Sequence, residues 1–137
     1  MNHAKATLFS LSLVGSFFLA SCATLPPPPD ISAFGAQPTD SEAAIKSYFE
    51  TTLKDPDSAR YRFEDGFIRV ACTYARLGQT TPITWTPYWA RVAQVNAKNS
   101  YGGYSGHQRY AVLFEGDIAV NAMLDQDFKI AGCRKLE

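Results

Sequence analysis

Two serines and one histidine lie close together in the middle of the second half of the chain: Ser100, Ser105 and His107. A serine hydroxyl activated by a histidine base is the arrangement used for nucleophilic catalysis. Neither serine sits in a nucleophile-elbow pattern, and His107 is so near Ser105 that only a sharp loop would aim its ring back. We therefore predict that the chain is not an enzyme and has no catalytic residues, with a hydrolase kept as an alternative.

Patterns for metals and phosphates are incomplete. Asp125 and Asp127 are spaced like the start of a calcium loop, but the glycine and the distal glutamate are missing. The stretch GGYSG lacks the Lys and Ser/Thr that end a phosphate-binding loop. Cys72 and Cys133 are far apart and have no histidine cluster beside them, which makes a poor zinc site. We predict neither a metal nor a cofactor.

Cys22 directly follows an apolar run. Residues 8–20 are apolar apart from Ser and Gly; the run is shorter than the ~20 residues that a membrane-spanning helix needs and follows Lys5 as in a signal peptide. The sequence LASC at 19–22 resembles the lipobox of bacterial lipoproteins. This resemblance implies cleavage before Cys22 and fatty acyl groups such as palmitate on that residue, which would anchor the chain in a membrane. The alternative is an ordinary signal peptide with a chance cysteine near its end.

The residues after Cys22 indicate where the protein lies. Ala23 stands where enterobacterial lipoproteins kept at the inner membrane commonly have Asp, so by analogy we predict the outer membrane, facing the periplasm. Four prolines at 26–29 favour an extended polyproline segment. We divide the chain into a signal peptide (1–21), a lipidated cysteine with a proline-rich tether (22–38) and one globular domain (39–137). A proline-rich ligand for another domain is the alternative for the tether.

The charge balance limits which partners the protein can bind, and the number of cysteines indicates the compartment in which it lies. The chain has 13 basic and 13 acidic side chains, and this balance argues against nucleic acid as a partner. Three cysteines are an odd number for an exported protein. If Cys22 is lipidated, Cys72 and Cys133 can form a disulfide in the oxidising periplasm. Two free buried thiols are the alternative for this pair.

The hydrophobic periodicity predicts one helix followed by strands. Thr39 and Glu42 have the spacing of a capping box, apolar residues then recur at helical spacing, and the helix should end near Lys54. Asp55 and Pro56 can start one further short turn. From there the apolar residues recur with a period of two, which predicts strands. A short strand at Tyr61 and Phe63 leads through an Asp65-Gly66 hairpin turn to a return strand at 67–74. A central strand at 88–97, a hairpin of 110–115 with 118–123 and a last strand at 128–133 follow. The stretch 77–87 should be irregular.

These elements predict an α+β fold in which one N-terminal helix packs on a mostly antiparallel sheet of about five strands. Cys72 should point inward from its strand, where a disulfide would lie.

The segment 96–110 is longer than the two to five residues that a simple hairpin needs. Long loops on rigid strands often carry function, and tyrosines among Ser, Gly and Asn make good contact surfaces. The candidate binding residues are Asn96, Lys98, Asn99, Tyr101, Tyr104, His107 and Arg109. The alternative is structural: glycines for positive φ, asparagines that cap backbone groups and tyrosines that cover the sheet edge or helix end.

Two segments of the chain, DPDSARYRF and VNAKNSYGGYSG, resemble a group of small exported proteobacterial proteins, often lipoproteins. That group pairs an Asp-Pro-x-Ser segment with a Val-Asn-x-Lys-Asn-(Ser/Ala)-x-Gly-Gly-Tyr-(Thr/Ser)-Gly segment. The resemblance covers about 21 residues and implies an exported lipoprotein with a shared fold. It implies no activity.

The sequence favours a non-catalytic accessory or interaction domain, held in the cell envelope by a lipid anchor, whose partner is an envelope protein or peptidoglycan. The first alternative is an inhibitor of a lysozyme-like or other periplasmic hydrolase, since such inhibitors are small, disulfide-bearing and insert a Ser/Gly/Tyr loop into a cleft. The sequence leaves the oligomeric state open.

Overall fold

The computed structural model describes residues 26–73, 84–127 and 132–136, so Cys22 and the predicted signal peptide lie outside the described residues. Within them the chain forms one α-helix and one antiparallel sheet of six strands, which confirms the α+β class. The helix is α1 (Ser41–Thr52), and the strands are β1 (Arg60–Phe63), β2 (Ile68–Thr73), β3 (Trp85–Asn96), β4 (Gln108–Glu115), β5 (Ile118–Leu124) and β6 (Cys133–Leu136).

Two parts of the predicted architecture are corrected. The sheet has six strands rather than about five, and the helix is not N-terminal, because it starts only at Ser41 and follows a 3₁₀ turn at Ile31–Phe34. No helix among the described residues is long and apolar enough to cross a membrane.

The long strand β3 organises the sheet. One edge of β3 pairs with β4, which pairs with β5; its other edge pairs with β2 and then β6, giving the order β5-β4-β3-β2-β6. β4 pairs with β3 only from Trp89 onward, and among the described residues none pairs with Pro87 on that side of β3. A proline, which lacks an N–H, is tolerated at such an unpaired edge. Pro87 therefore does not prevent β3 from starting at Trp85, inside the stretch that was predicted to be irregular.

The predicted Asp65-Gly66 hairpin is wrong. β1 and β2 do not pair with each other; both pair antiparallel with β3, end to end along the same edge. Phe63 lies opposite Ala93 and Ile68 opposite Ala90, so the chain inserts extra residues there as a bulge. Gly66, with φ of +83°, supplies the bend of that bulge. Because β3 is twelve residues long, it can form backbone hydrogen bonds with both β1 and β2. These hydrogen bonds outweigh the preference of Asp65-Gly66 for a hairpin turn.

The start of α1 also differs from its prediction. Asp40, not Thr39, is the N-cap, and its side chain accepts a hydrogen bond from the N–H of Ala43. Thr39 instead donates through both its N–H and its hydroxyl to Asp117 Oδ1, at 2.6 and 2.9 Å. These bonds lower the pKa of Asp117 and tie the entry of the helix to the β4–β5 turn.

The core lies between α1 and one face of the sheet. Ile45 and Phe49 of the helix pack on Trp89, Val95 and Val112. Arg91 joins the layers at the start of the helix: its Nη1 donates to Ser41 Oγ at 2.7 Å and its Nε donates to the carbonyl of Glu64 at 3.0 Å. A buried hydroxyl and the bulge carbonyl are thereby both satisfied.

The opposite face of the sheet holds the disulfide. Cys72 and Cys133 are buried and bonded to each other, as predicted, and lie directly opposite each other in the β2–β6 pair. The last strand begins at Cys133 rather than ending there as predicted; residues 128–131 lie outside the described residues. Because the disulfide closes a separation of 61 residues, the chain-entropy model gives it about 4 kcal/mol.

Candidate functional site: the tyrosine loop

The connection between β3 and β4, residues 97–107, forms an ordered turn that we call the tyrosine loop. Lys98 and Tyr104 pair across it as an isolated antiparallel bridge. Asn99 N–H donates to Gly103 O, and Gly102 N–H donates to Asn99 O, both at 2.9 Å. Gly102 has φ of +80°, a conformation that favours glycine. These backbone contacts give the loop a hairpin-like shape.

The side chain of Asn99 supports this turn from inside. Its Oδ1 accepts hydrogen bonds from the N–H groups of Tyr101 and Gly103, at 2.9 and 3.1 Å. Asparagine is favoured in such turns because its short amide can bond to backbone groups nearby. Asn99 is exposed, and through these two hydrogen bonds it is also a structural residue of the loop.

Ser58 braces the base of the loop. Its Oγ accepts from the N–H of Lys98 at 2.9 Å and donates to the carbonyl of Asp55 at 2.8 Å. Its carbonyl accepts from the hydroxyl of Tyr104 at 3.1 Å. The turn that carries Ser58 is capped by Asp55 and begins at Pro56, as predicted. The segments DPDSARYRF and VNAKNSYGGYSG, distant in sequence, therefore meet in space, both through Ser58 and through the pairing of Arg60 with Asn96.

The ring of Tyr104 lies close to two cations. The Arg60 guanidinium is 4.6 Å from the ring centroid and the Lys98 Nζ is 5.9 Å from it. A cation at this range is attracted to the ring face, by about 0.5–1 kcal/mol at an exposed site. Tyr104 remains 40% exposed, so its ring, with the two cations beside it, both supports the loop and forms part of the loop surface.

Tyr101 lies at the tip of the loop and is almost entirely exposed, at 96%. Next to it, Ser100 Oγ accepts from Lys54 Nζ at 2.8 Å, which links the tip to the end of α1. A cleft of about 310 Å³ lies between the loop and Thr52–Lys54. A rigidly held turn that exposes a tyrosine beside a cleft can contact another molecule without first becoming ordered.

Arg109, the last candidate of the segment, is held by carboxylates. Its Nε and Nη2 donate to the two oxygens of Glu64, both at 2.7 Å, and its Nη1 bonds to Asp125. The hydrogen bond from Arg109, with a second from Gln94, lowers the pKa of Glu64 to about 2. The hydrogen bond to Glu64 and the charge of Asp125 raise the pKa of Arg109. This network ties β4 to the β1–β2 bulge on the face opposite α1.

Asn96 and His107 flank the loop and stand apart from its tip. Asn96 ends β3 opposite Arg60, and within the part of the chain that the structure describes its Oδ1 accepts no hydrogen bond. His107 is half-buried just before β4. It borders a different cleft, which includes Asp125.

The residues considered for catalysis and metal binding are not brought together. Among the described residues no hydrogen bond joins His107 to Ser100 or Ser105, and Ser100 is bonded to Lys54 instead. The same residues contain no group of three His, Cys, Asp or Glu side chains placed to hold a metal ion.

Sequence reasoning missed the residues that support the loop, Lys54, Ser58 and Arg60, and the partner of Arg109, which is Glu64. Their contacts with the loop segment span 40 to 46 positions along the chain, and periodicity reports only near neighbours. The signal that could have found Ser58 was the occurrence of DPDS together with VNAKNSYGGYSG in the resemblance noted from the sequence.

Comparison with known proteins gives no relative: no family model matches the chain, and neither a curated protein nor a solved structure matches it significantly.

Proposed function

We propose that this chain is a lipid-anchored lipoprotein of the bacterial cell envelope, placed on the periplasmic side of the outer membrane, whose domain is a non-catalytic interaction module that binds its partner through the tyrosine loop. The observation that carries the proposal is the combination of bracing and exposure in this loop. Its base is held by Ser58 and its turn by Asn99, while Tyr101 is 96% exposed.

Such an arrangement favours binding. An unsupported tip would lose conformational entropy on binding, whereas a pre-ordered one loses little. Tyrosine is enriched among the residues that dominate binding energy, because its large surface has only two side-chain torsions to order. No hydrogen bond within the described domain engages the hydroxyl of Tyr101.

The surface around the tip indicates the chemistry of the partner. Arg60 and Lys98 are exposed on β1 and at the loop base, and the Tyr104 ring lies beside both of them. Basic groups next to aromatic rings suit a partner with carboxylates and flat apolar surface. An acidic envelope protein and peptidoglycan, with its carboxylates and sugar rings, both have this chemistry.

The cysteines support the anchor. With Cys72 and Cys133 joined, Cys22 is the remaining cysteine of the three. Structural disulfides persist in oxidising compartments such as the periplasm. A cysteine outside the disulfide, immediately after an apolar run, is where a lipoprotein carries its fatty acids.

The test is capture of partners by the immobilised mature domain, from detergent-solubilised envelopes in one arm and from purified peptidoglycan in the other. Tyr101→Ser should lower the recovery of the partner by about tenfold or more, as expected for a central tyrosine. The matched control is Ile118→Ser, which changes another exposed apolar side chain (69% exposed) and should leave recovery unchanged. Equal recovery by wild type and Tyr101→Ser in both arms would refute the role of the loop.

A second candidate, an inhibitor of a lysozyme-like or other periplasmic hydrolase, is favoured by the shape of the loop. The cross-loop bridge makes residues 98–104 narrow, and all of them are exposed, so the tip could enter an active-site cleft. The assay is hydrolysis of peptidoglycan in the presence of excess domain. Undiminished hydrolysis at saturating domain would exclude this candidate, and inhibition that Tyr101→Ser abolishes would establish it.

A further inference from the structure

The first described residues dock on the domain at one end of β3. Trp85 Nε1 donates to the carbonyl of Pro26 at 2.7 Å. Phe34 is only 8% exposed and packs edge-on against Trp89, with 5.8 Å between ring centroids. Trp89 Nε1 in turn donates to the carbonyl of Gly35 at 3.3 Å. Part of the segment assigned to a tether from the sequence is thus in contact with the sheet.

Docking at Pro26 leaves little free chain. Only residues 23–25 separate it from Cys22, the site of the proposed lipid anchor. Even a fully extended chain covers about 14 Å over this distance. The end of β3 that begins with Trp85 is therefore kept close to the lipid headgroups if Cys22 is acylated.

Exposed aliphatic side chains lie at this same end of the sheet. Ile31 is 56% exposed in the docked segment and Ile118 is 69% exposed at the start of β5. Ile118 pairs with Glu115, and the neighbouring residue Phe114 pairs with Trp89. Because the docked segment packs on Trp89, Ile118 lies at about the same position along β3 as that segment. Apolar side chains of this kind favour contact with the headgroup and acyl-chain boundary of a membrane.

The tyrosine loop lies at the other end of β3. The strand runs for 12 residues from Trp85 to Asn96, and at about 3.3 Å per residue the two ends are roughly 36 Å apart. The exposed aromatic groups, Tyr101 and Tyr104, are at this distant end.

We propose that the domain stands on the membrane on its Trp85 end, with Ile31 and Ile118 against a lipid surface and the tyrosine loop directed away from it. The inference rests on the lipid anchor of the proposed function and adds the direction from which the partner approaches. The loop meets a component that lies beyond the domain, and the membrane that holds the anchor is not the binding partner of Tyr101.

Energy transfer to labelled lipid headgroups tests this orientation. The acylated mature protein is reconstituted in vesicles with a short-range donor introduced through a non-natural amino acid, at exposed Thr84 in one sample and at Tyr101 in the other. Transfer from position 84 should exceed transfer from position 101 by about fivefold or more, since ~36 Å separates the two ends.

Two variants test the cause of the orientation. Trp85→Phe keeps an aromatic ring but removes the hydrogen-bond donor to Pro26. Ile118→Ser removes an apolar contact with lipid. In each variant the transfer efficiencies from positions 84 and 101 should come within about twofold of each other. Circular dichroism verifies that each variant is folded. The control Arg62→Gln, an exposed change on β1, should keep the full contrast.

The outcomes separate the orientation from the anchor. Equal transfer from positions 84 and 101, with the protein acylated and bound to vesicles, overturns the upright orientation and leaves the anchor intact. Stronger transfer from position 101 overturns it as well and makes lipid the ligand of the loop. Mass spectrometry showing Cys22 without acyl groups in the native protein overturns the anchor and the orientation together.

Discussion

Asn99 offers the sharpest test of whether the tyrosine loop is pre-ordered. Asn99→Ala removes the oxygen that accepts from Tyr101 N–H and Gly103 N–H but leaves the backbone bonds of the turn in place. Each lost bond contributes about 0.5–1.5 kcal/mol net, toward the lower end at an exposed site. We therefore expect opening of the loop to become easier by about 1–2 kcal/mol.

The matched control is Asn99→Asp, in which a carboxylate oxygen can still accept both hydrogen bonds. The assay is amide hydrogen exchange of the native protein, read by NMR at Tyr101 and Gly103. In the alanine variant exchange at these two amides should speed up about tenfold, the factor that corresponds to ~1.4 kcal/mol. In the aspartate variant it should stay within about twofold of wild type.

Opening of this loop is local, so the urea midpoint of the whole domain should be unchanged in both variants. Partner binding should weaken about tenfold in Asn99→Ala alone, because the tip must then be ordered on binding. Unchanged exchange at Tyr101 and Gly103 in the alanine variant would refute the reasoning, since it would mean that the side chain does not hold the turn.

Three further predictions concern stability, each read by urea denaturation. Phe34→Ala should cost about 3–5 kcal/mol, because it empties a buried aromatic site; a loss below about 1 kcal/mol would show that the segment does not pack as described. The Arg109 contact depresses the pKa of Glu64 to about 2 from 4.5, so the stabilisation that this contact gives is complete above pH 4.5 and disappears as the pH falls toward 2. The difference in unfolding free energy between wild type and Glu64→Gln should therefore shrink over that pH range. A difference that stays constant would contradict this reading. Gly132→Ala should destabilise the domain clearly more than Gly66→Ala. Both glycines have positive φ, but only at Gly132 would a Cβ lie 2.8 Å from a backbone carbonyl oxygen. Equal losses of unfolding free energy in the two variants would contradict this reading.

The sequence predicted the elements whose signals are local. The apolar stripe of α1 and the Gly116-Asp117 turn between β4 and β5 lie where expected, because each depends on the spacing of neighbouring residues. The disulfide could also be predicted, because setting aside one of three cysteines leaves a single possible pair.

The errors arose where a distant partner overrode a local preference. Asp65-Gly66 has the composition of a hairpin turn, but β3 is long enough to pair with both flanking strands, so the dipeptide forms a bulge. Thr39 has the spacing of a helix cap, but Asp117 on the β4–β5 turn binds it and Asp40 takes the cap. Nothing in a single sequence reports which distant strand or side chain will compete.

The same limit applies to the loop. Its composition identified the correct stretch of chain, but composition could not distinguish Asn99, which holds the turn, from Tyr101, which is exposed at its tip. That distinction needs the position of each side chain.

The contact between Ser58 and the tyrosine loop has a consequence for transplantation. Because one serine hydroxyl and its carbonyl secure both strands at the loop base, through Lys98 and Tyr104, residues 97–107 alone should lose their shape on a foreign scaffold. A graft that also carries the Asp55–Ser58 turn, placed against the loop as it is here, should keep it. The portable unit is thus a discontinuous pair of segments, and protein engineers would have to move both together.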